Sequence, residues 1–534
     1  MKKNSFMEGA VIATLGIIVV KIIGLIYVIP FNSIIGEKGG ALYGYAYNIY
    51  MLFLSISSAG FPFAISKLTS EYNALGYKNA IKDTYNIATK LILLISFVIF
   101  ILLFIFAPQI GHLIIGDSTG GNSIGDIAFV IRMVSFAILI IPFLSVSKGF
   151  LQGHKYIKPT TDSQIIEQVV RVIIIIVGSY AALKIFHTDL KIAVGIAVSG
   201  AFFGGLVAYL FLRRKIKKAN LLPEKVDDKK QISKKEIIKK IIGYSIPFIM
   251  VSLIYNLYNT VDMILVSRTM SDILHMSITR VESVLSVFTT WGVKLNNILL
   301  AVTTGLTTSL IPNIVASFTK GDMNDVNSKF NKALQCTILI IVPATLFLSL
   351  LVNPVWMLFY GKSTYGPIVY KIFVYTALFG GLHSVVVNTL QGLSKYKLVI
   401  LSVLTGLIIN TLCDVPFMLL SHKLGFDVSY GAIIAAMLGY TVSMLLSLSI
   451  LHYKYNFSFK ETINRTPSFM ISIIVFVLSI ILLKQIIPTN LNGRLVQIPI
   501  LLIYGIISFG IYFVINYYNG NLKKLFNIGG KKWN

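Results

Sequence analysis

Four charged side chains stand where charge is costly. Lys21, Asp262, Lys294 and Asp414 lie well inside long apolar runs, and Asn410 precedes Asp414 by one helical turn. A lysine, arginine or aspartate at the centre of a membrane helix costs roughly 2.5 to 3.5 kcal/mol on insertion scales, which directs such residues toward a watery cavity, a partner or a ligand. Lys21 is about twelve residues from either end of its run, about 18 Å along a helix axis, too far for its stem to reach interfacial water comfortably. Lys294 sits among Thr289, Thr290, Trp291, Asn296 and Asn297, a polar cluster unsuited to hydrocarbon. Two such cations suit an anion of pyrophosphate size, whose charge needs compensation once its water is stripped. The structural alternative for Lys294 is a lysine that snorkels or braces neighbouring helices.

The carboxylates carry a different chemistry. Asn410 and Asp414 project from one helix face, and oxygen-only ligands suit a hard cation. Asp262 is a candidate third ligand, with proton carriage or a structural hydrogen bond as the other readings. Glu167 and Arg171, four apart, pair along a helix. Arg132 and Lys148 lie near the ends of their runs and snorkel. His383 is expected to be a hydrogen-bonded core residue, and Cys336 and Cys413 inert core thiols.

What positions these residues is a membrane. The 534 residues are 55% hydrophobic and 13% charged, with a mean hydropathy of +0.79; soluble domains carry about 25% charged residues. Apolar runs of roughly twenty residues match a hydrocarbon slab of about 30 Å, and the strict alternation of a β-barrel is absent. The runs predict spans at 9–33, 41–64, 86–112, 126–152, 160–183, 192–212, 241–267, 284–311, 333–357, 372–390, 398–420, 428–452, 466–483 and 495–518. The net charge of +26 lies mostly in loops, so it speaks for topology and not for a nucleic-acid partner. Segments on the side of the N-terminus hold 31 basic residues against 10 on the other side, which predicts cytoplasmic termini. The densest basic stretch, within 213–240, joins the sixth and seventh spans as a cytoplasmic linker and topological anchor.

Two sequence matches indicate an internal repeat. Leu151-Gln152-Gly153 reappears as Leu390-Gln391-Gly392 after 239 residues, and Gly76 with Tyr85-Asn86 and Ala88 reappears as Gly321 with Phe330-Asn331 and Ala333 after 245. Corresponding loops at nearly the same offset predict two six-helix lobes in parallel orientation around a central cavity. The fold class is therefore all-α integral membrane with fourteen transmembrane helices: an N-terminal lobe at 1–212, the linker at 213–240, a second lobe at 241–452, and two further helices with a tail at 453–534.

With Lys21-Ile22-Ile23-Gly24 in the first helix, and Leu310-Ile311-Pro312 leading into Ser317-Phe318-Thr319-Lys320-Gly321, the chain resembles end to end the MurJ-type lipid II flippases. It is nearer their Gram-positive branch with stage V sporulation protein B, within the multidrug/oligosaccharidyl-lipid/polysaccharide exporter superfamily. The resemblance implies that a polyprenyl-pyrophosphate-linked saccharide, lipid II first among them, is carried from the inner to the outer leaflet of the bacterial cytoplasmic membrane by alternating access, coupled to an ion or to the membrane potential. It implies a cationic cavity in which Lys21 and Lys294 match basic positions. Tyr27 replaces the family's second basic position, and Asn297 completes the expected substrate-binding set. Some members similarly hold sodium between helices seven, eleven and twelve, where Asp262, Asn410 and Asp414 fall. Span two lacks the family's arginine. The expected partners are the lipid-linked substrate and membrane lipids, with the protein a monomer and no cofactor beyond sodium. The alternatives are export of another undecaprenyl-linked polysaccharide unit and a MATE-like multidrug or cation antiporter. An enzyme is disfavoured because the metal-binding or acid/base clusters it would need at the membrane surface are missing from the sequence.

Overall fold

The computed structural model describes residues 6–117, 121–222, 232–489 and 491–526, and every regular element among them is helical. By internal contacts the chain forms two units, Met1–Thr290 and Trp291–Asn534. The first contains α1 (Phe6–Ile26), α2 (Val28–Ser58), α3 (Phe61–Leu75), α4 (Lys78–Ile105), α5 (Ala107–Ile115), α6 (Ile124–Gly153), α7 (Ile157–Ile173), α8 (Leu190–Lys218), α9 (Lys234–Arg268) and α10 (Ile278–Ser286). The second contains α11 (Gly292–Thr319), α12 (Met323–Leu350), α13 (Val352–Tyr360), α14 (Gly366–Phe373), α15 (Tyr375–Gly392), α16 (Tyr396–Lys423), α17 (Ser429–Tyr455), α18 (Lys460–Ile486), α19 (Gln497–Tyr518) and α20 (Asn521–Phe526).

Among the described residues, 13 helical stretches are long and apolar enough to cross a membrane, with a shorter apolar stretch at Leu15–Ile26. The chain is thus a multi-pass membrane protein. Fourteen spans were expected; α1 is 21 residues long, but the side chains of 6–11, 13 and 14 lie outside the described residues, and the apolar run 9–33 is divided between α1 and α2. The chain breaks at Tyr27, which places Pro30 in the first turn of α2, where its missing N–H leaves no hydrogen bond unmade. A second break follows at Gly36, with φ 65° and ψ −164°, a conformation open essentially to glycine alone.

The repeat seen in the sequence is explicit in the backbone. Helices α4 and α12 have 28 residues each, α5 and α13 have 9 each, and both pairs are offset by 245. Gly76 and Gly321 each turn the chain at φ 76°, with the following amide donating to Tyr72 O at 2.9 Å and to Ser317 O at 3.1 Å respectively. Lys155 and Ser394 adopt the same left-handed turn, at φ 65° and 60°. The Leu-Gln-Gly motif has a packing cause. A Cβ on Gly153 would stand 2.6 Å from Thr69 Cβ, and one on Gly392 would stand 2.6 Å from Ile311 Cγ2, so glycine permits a close helix crossing in each unit.

The contact boundary at Thr290 differs from the 213–240 linker because α9 packs on α2, α3, α4 and α5. At one end of α9, Lys240 pairs with Glu71 at 3.2 Å, Lys67 Nζ lies 3.9 Å from the Tyr244 ring centre, and Phe63 packs on Phe248 with centroids 4.2 Å apart. At the other end Arg268 donates to the carbonyls of His112 at 2.8 Å and Leu113 at 3.1 Å, capping the C-terminal turn of α5.

Candidate functional site

In the first unit, Lys21 is exposed on α1. Its helix packs on α7, and Gly24, one turn later, brings α1 close to the Gln168 side chain. Tyr27 is only 3% exposed and does not line an open surface. Its ring begins an aromatic ladder. Centroids lie 6.1 Å apart from Tyr27 to Phe31, 5.3 Å from Phe31 to Tyr43, 5.4 Å from Tyr43 to Tyr47, and 5.5 Å from Tyr47 to Tyr50. The Gly36 break returns the chain on itself and lets Phe31 and Tyr43 meet ring to ring.

Behind this ladder lies a charge triad only half legible in the sequence. Glu167 accepts from Arg171 at 2.7 Å, the pairing expected along one helix face. Lys148 does not snorkel as expected. It crosses from α6 to Glu167 at 3.0 Å, and the three side chains are 16–17% exposed. The triad carries a net charge of +1. Arg171 lies within electrostatic reach of the Tyr43, Tyr47 and Tyr50 hydroxyls, and α8 passes tightly beside it because Gly200 and Gly204 have no side chains. The glycine pair four residues apart was the available signal for that close crossing. Arg132 behaves as a peripheral residue, its Nε donating to Phe104 O at 3.0 Å.

In the second unit, Lys294 is half-buried on α11, just past a π-helical turn at Val287–Trp291. The polar cluster around it divides its work. Asn296 is structural, donating to Thr376 Oγ1 at 3.0 Å and accepting from the Tyr370 hydroxyl at 3.3 Å. Asn297 is half-buried. Trp291 is fully buried and its carbonyl accepts from the Tyr360 hydroxyl at 2.7 Å. Thr290 belongs to the first unit, where its hydroxyl donates to Gly40 O at 2.8 Å.

Asn410 and Asp414 are both fully buried on α16, one turn apart, while Asp262 is half-buried on α9 in the first unit. Among the described residues no group of three His, Cys, Asp or Glu side chains gathers to hold a metal ion, so a cation at Asp414 would rely on Asn410 and on backbone or water oxygens. His383 is a buried core residue, as expected, its Nε2 2.8 Å from Ser443 Oγ. Cys336 is buried and Cys413 half-buried, and both are free thiols.

The first unit thus holds a largely buried charge triad of net +1 behind an aromatic ladder whose rings are themselves mostly buried. Comparison with known proteins agrees with an export architecture. Residues 6–318 match the family model described as polysaccharide biosynthesis protein. The chain is 29% identical to the lipid II flippase MurJ of Bacillus subtilis (strain 168), covering 98% of this chain and 97% of that one. Among solved structures, the lipid II flippase MurJ in an inward closed conformation superposes with a TM-score of 0.68 at 15% identity, covering 96% of this chain and 99% of the other. An inward-facing multidrug resistance MATE family transporter of the MOP superfamily superposes with a TM-score of 0.61 at 16% identity, covering 84% and 99%.

Proposed function

The chain belongs to the polysaccharide biosynthesis protein family, and from that premise we propose that it is a flippase for a lipid-linked cell-wall saccharide precursor. Lipid II is the cargo its relatedness to the Bacillus subtilis flippase favours. Like that relative it is a transporter and not an enzyme: the protein's task is to move a polar head through hydrocarbon while making and breaking no covalent bond.

The single observation that carries this function is the sign of the charge within helices α1–α8. Lys21 is exposed on α1, and Lys148, Glu167 and Arg171 add a net +1 with their side chains largely buried. The net positive charge of the largely buried triad favours an anionic cargo such as a diphosphate over the organic cations of a multidrug antiporter. Lys21 and Lys294 then hold the head group, with Asn297 offering an amide to it. Tyr27, buried in this state, contributes by anchoring the aromatic ladder. We read the termini as cytoplasmic, so that cargo enters from the inner leaflet and leaves from the outer. Asp262, Asn410 and Asp414 are proposed to bind sodium and couple its gradient to the cycle.

The deciding experiment is flipping of fluorescent lipid II in vesicles containing the purified protein. Lys21→Ala and Lys294→Ala each lose at least tenfold in rate while remaining inserted and folded. Wild-type rates in both variants would overturn the proposal, and flipping of a different undecaprenyl-linked unit in place of lipid II would reassign the cargo.

A further inference from the structure

The two repeats differ in what covers one helix face. In the second unit that face of α12 is buried against α18. Asn327 Oδ1 accepts from the Ser458 amide at 2.8 Å, and Asn331 donates to Ser458 O at 2.7 Å. Asn331 Oδ1 also accepts from the Thr462 amide at 3.0 Å and the Thr462 hydroxyl at 2.7 Å, and Gln335 donates to Thr462 Oγ1 at 3.5 Å. Deeper along the same face, the Tyr512 hydroxyl donates to Leu339 O at 3.0 Å. Asn331, Gln335 and Leu339 are 1–2% exposed.

At the repeat's offset of 245, α4 carries Lys82, Asn86, Lys90 and Leu94 at these four positions. The central asparagine and the leucine are kept, and both flanking amides are lysines. Asn86 and Lys90 are exposed, Lys82 is half-buried, and Leu94 is 64% exposed. The helices that pack on α4, among them α3, α6 and α9, take its opposite face, where Ile81, Ala88, Ile92 and Ile99 are buried. Residues four apart share a face, so Lys82, Asn86 and Lys90 form a stripe about 12 Å long. Exposed Leu94, Phe97 and Ile101 continue it into the apolar part of the helix. Asp83, half-buried, is the one acidic residue of α4 and leaves Lys82, Asp83 and Lys90 with a net charge of +1. A membrane helix laid over this face would bury both ammonium groups, a cost that the amides of α12 avoid. A lipid brings an anion for the lysines and acyl chains for the residues beyond them.

We propose that this face of α4 selects an acidic phospholipid. Its phosphate meets Lys90 and Asn86, its outer head group lies against Lys82, and an acyl chain runs along Leu94, Phe97 and Ile101. Side chains on a helix lean toward its N-terminus, so Lys90 carries its ammonium back toward Asn86 while its stem stays in hydrocarbon. The site uses none of the residues assigned to the cargo and stands whatever the protein transports.

The test is fluorescence quenching in vesicles holding the full chain, with a bimane label at Phe97→Cys in a Cys336→Ala, Cys413→Ala background. Brominated phosphatidylglycerol and brominated phosphatidylcholine are the quenchers. The label is expected to favour phosphatidylglycerol about fivefold, the effect of one net basic charge beside an anionic lipid. A control label at Ile474→Cys, a similarly exposed position on α18, shows less than a twofold preference. Lys82→Asn with Lys90→Gln, which gives α4 the amides of α12, lowers the preference at Phe97 to less than twofold. Asp83→Asn raises it, a gain that misfolding does not produce. Equal quenching by the two lipids with both lysines present, or a preference that survives their replacement, overturns the proposal. A label that neither lipid quenches marks a face covered by a second copy of the chain and overturns it as well.

Discussion

Glu167→Gln isolates the buried charge triad. In the native protein one carboxylate serves two cations, at 3.0 Å to Lys148 and 2.7 Å to Arg171, with all three side chains 16–17% exposed. Removing one partner from a buried ion pair costs about 3–5 kcal/mol, because the remaining charge loses its compensation without regaining water. Glutamine keeps the volume and one acceptor, which places the expected loss near the low end, about 3 kcal/mol. At roughly 2 °C per kcal/mol for a chain of this size, the melting temperature falls by about 6 °C. The assay is thermal unfolding in detergent, followed by helical circular dichroism and by maleimide labelling of a cysteine placed at Ser163, a fully buried position on α7. Lys148→Met provides the internal standard. It removes one cation but leaves the Glu167–Arg171 pair neutral, so it costs less than Glu167→Gln. An unchanged melt in Glu167→Gln, or a cost in Lys148→Met at least as large, would refute the claim that the carboxylate compensates excess positive charge.

Three further outcomes are expected. Reporters fused after Lys218 and after Gly520 both read cytoplasmic, as the 31-to-10 basic asymmetry requires, and an external signal at either reverses the proposed orientation. Gly36→Ala loses about 1–3 kcal/mol from backbone strain alone, since its φ of 65° and ψ of −164° suit glycine and nothing lies within 4 Å of the added Cβ. Gly510→Ala, equally open but mid-helix, is neutral or stabilising by about 0.5–1 kcal/mol, and equal effects in the same melting assay would remove the strain argument. Sodium, but not potassium, shifts the accessibility of labelled cavity cysteines, and Asp414→Asn abolishes that shift by deleting a ligand charge. A shift that follows pH and ignores sodium assigns the carboxylates to proton carriage.

Much of the architecture was legible because apolar run length and turn glycines act locally. The Gly76/Gly321 match predicted turns that the backbone forms with the same φ, and Glu167 found Arg171 because both lie on one helical face. The misses were tertiary. Lys148 looked like an interfacial lysine because its partner is on another helix, 19 residues away, and a single-helix argument contains no term for that contact. The break at Tyr27 was hidden because every residue from Ile22 to Ile29 except Gly24 and Tyr27 is aliphatic, and only the position of Pro30 hinted at a new helix start.

Fold alone does not choose between a saccharide-lipid flippase and a drug antiporter, since both superpose on this chain over most of its length. The distinction has to come from side chains, and charge is the property least able to drift unnoticed inside a membrane. A cation antiporter needs a carboxylate whose charge is exposed to cargo in one state. In α1–α8 the well-buried carboxylate, Glu167, is already engaged by two cations, which leaves the surplus positive. An anionic diphosphate gains from that surplus, and a cationic drug does not.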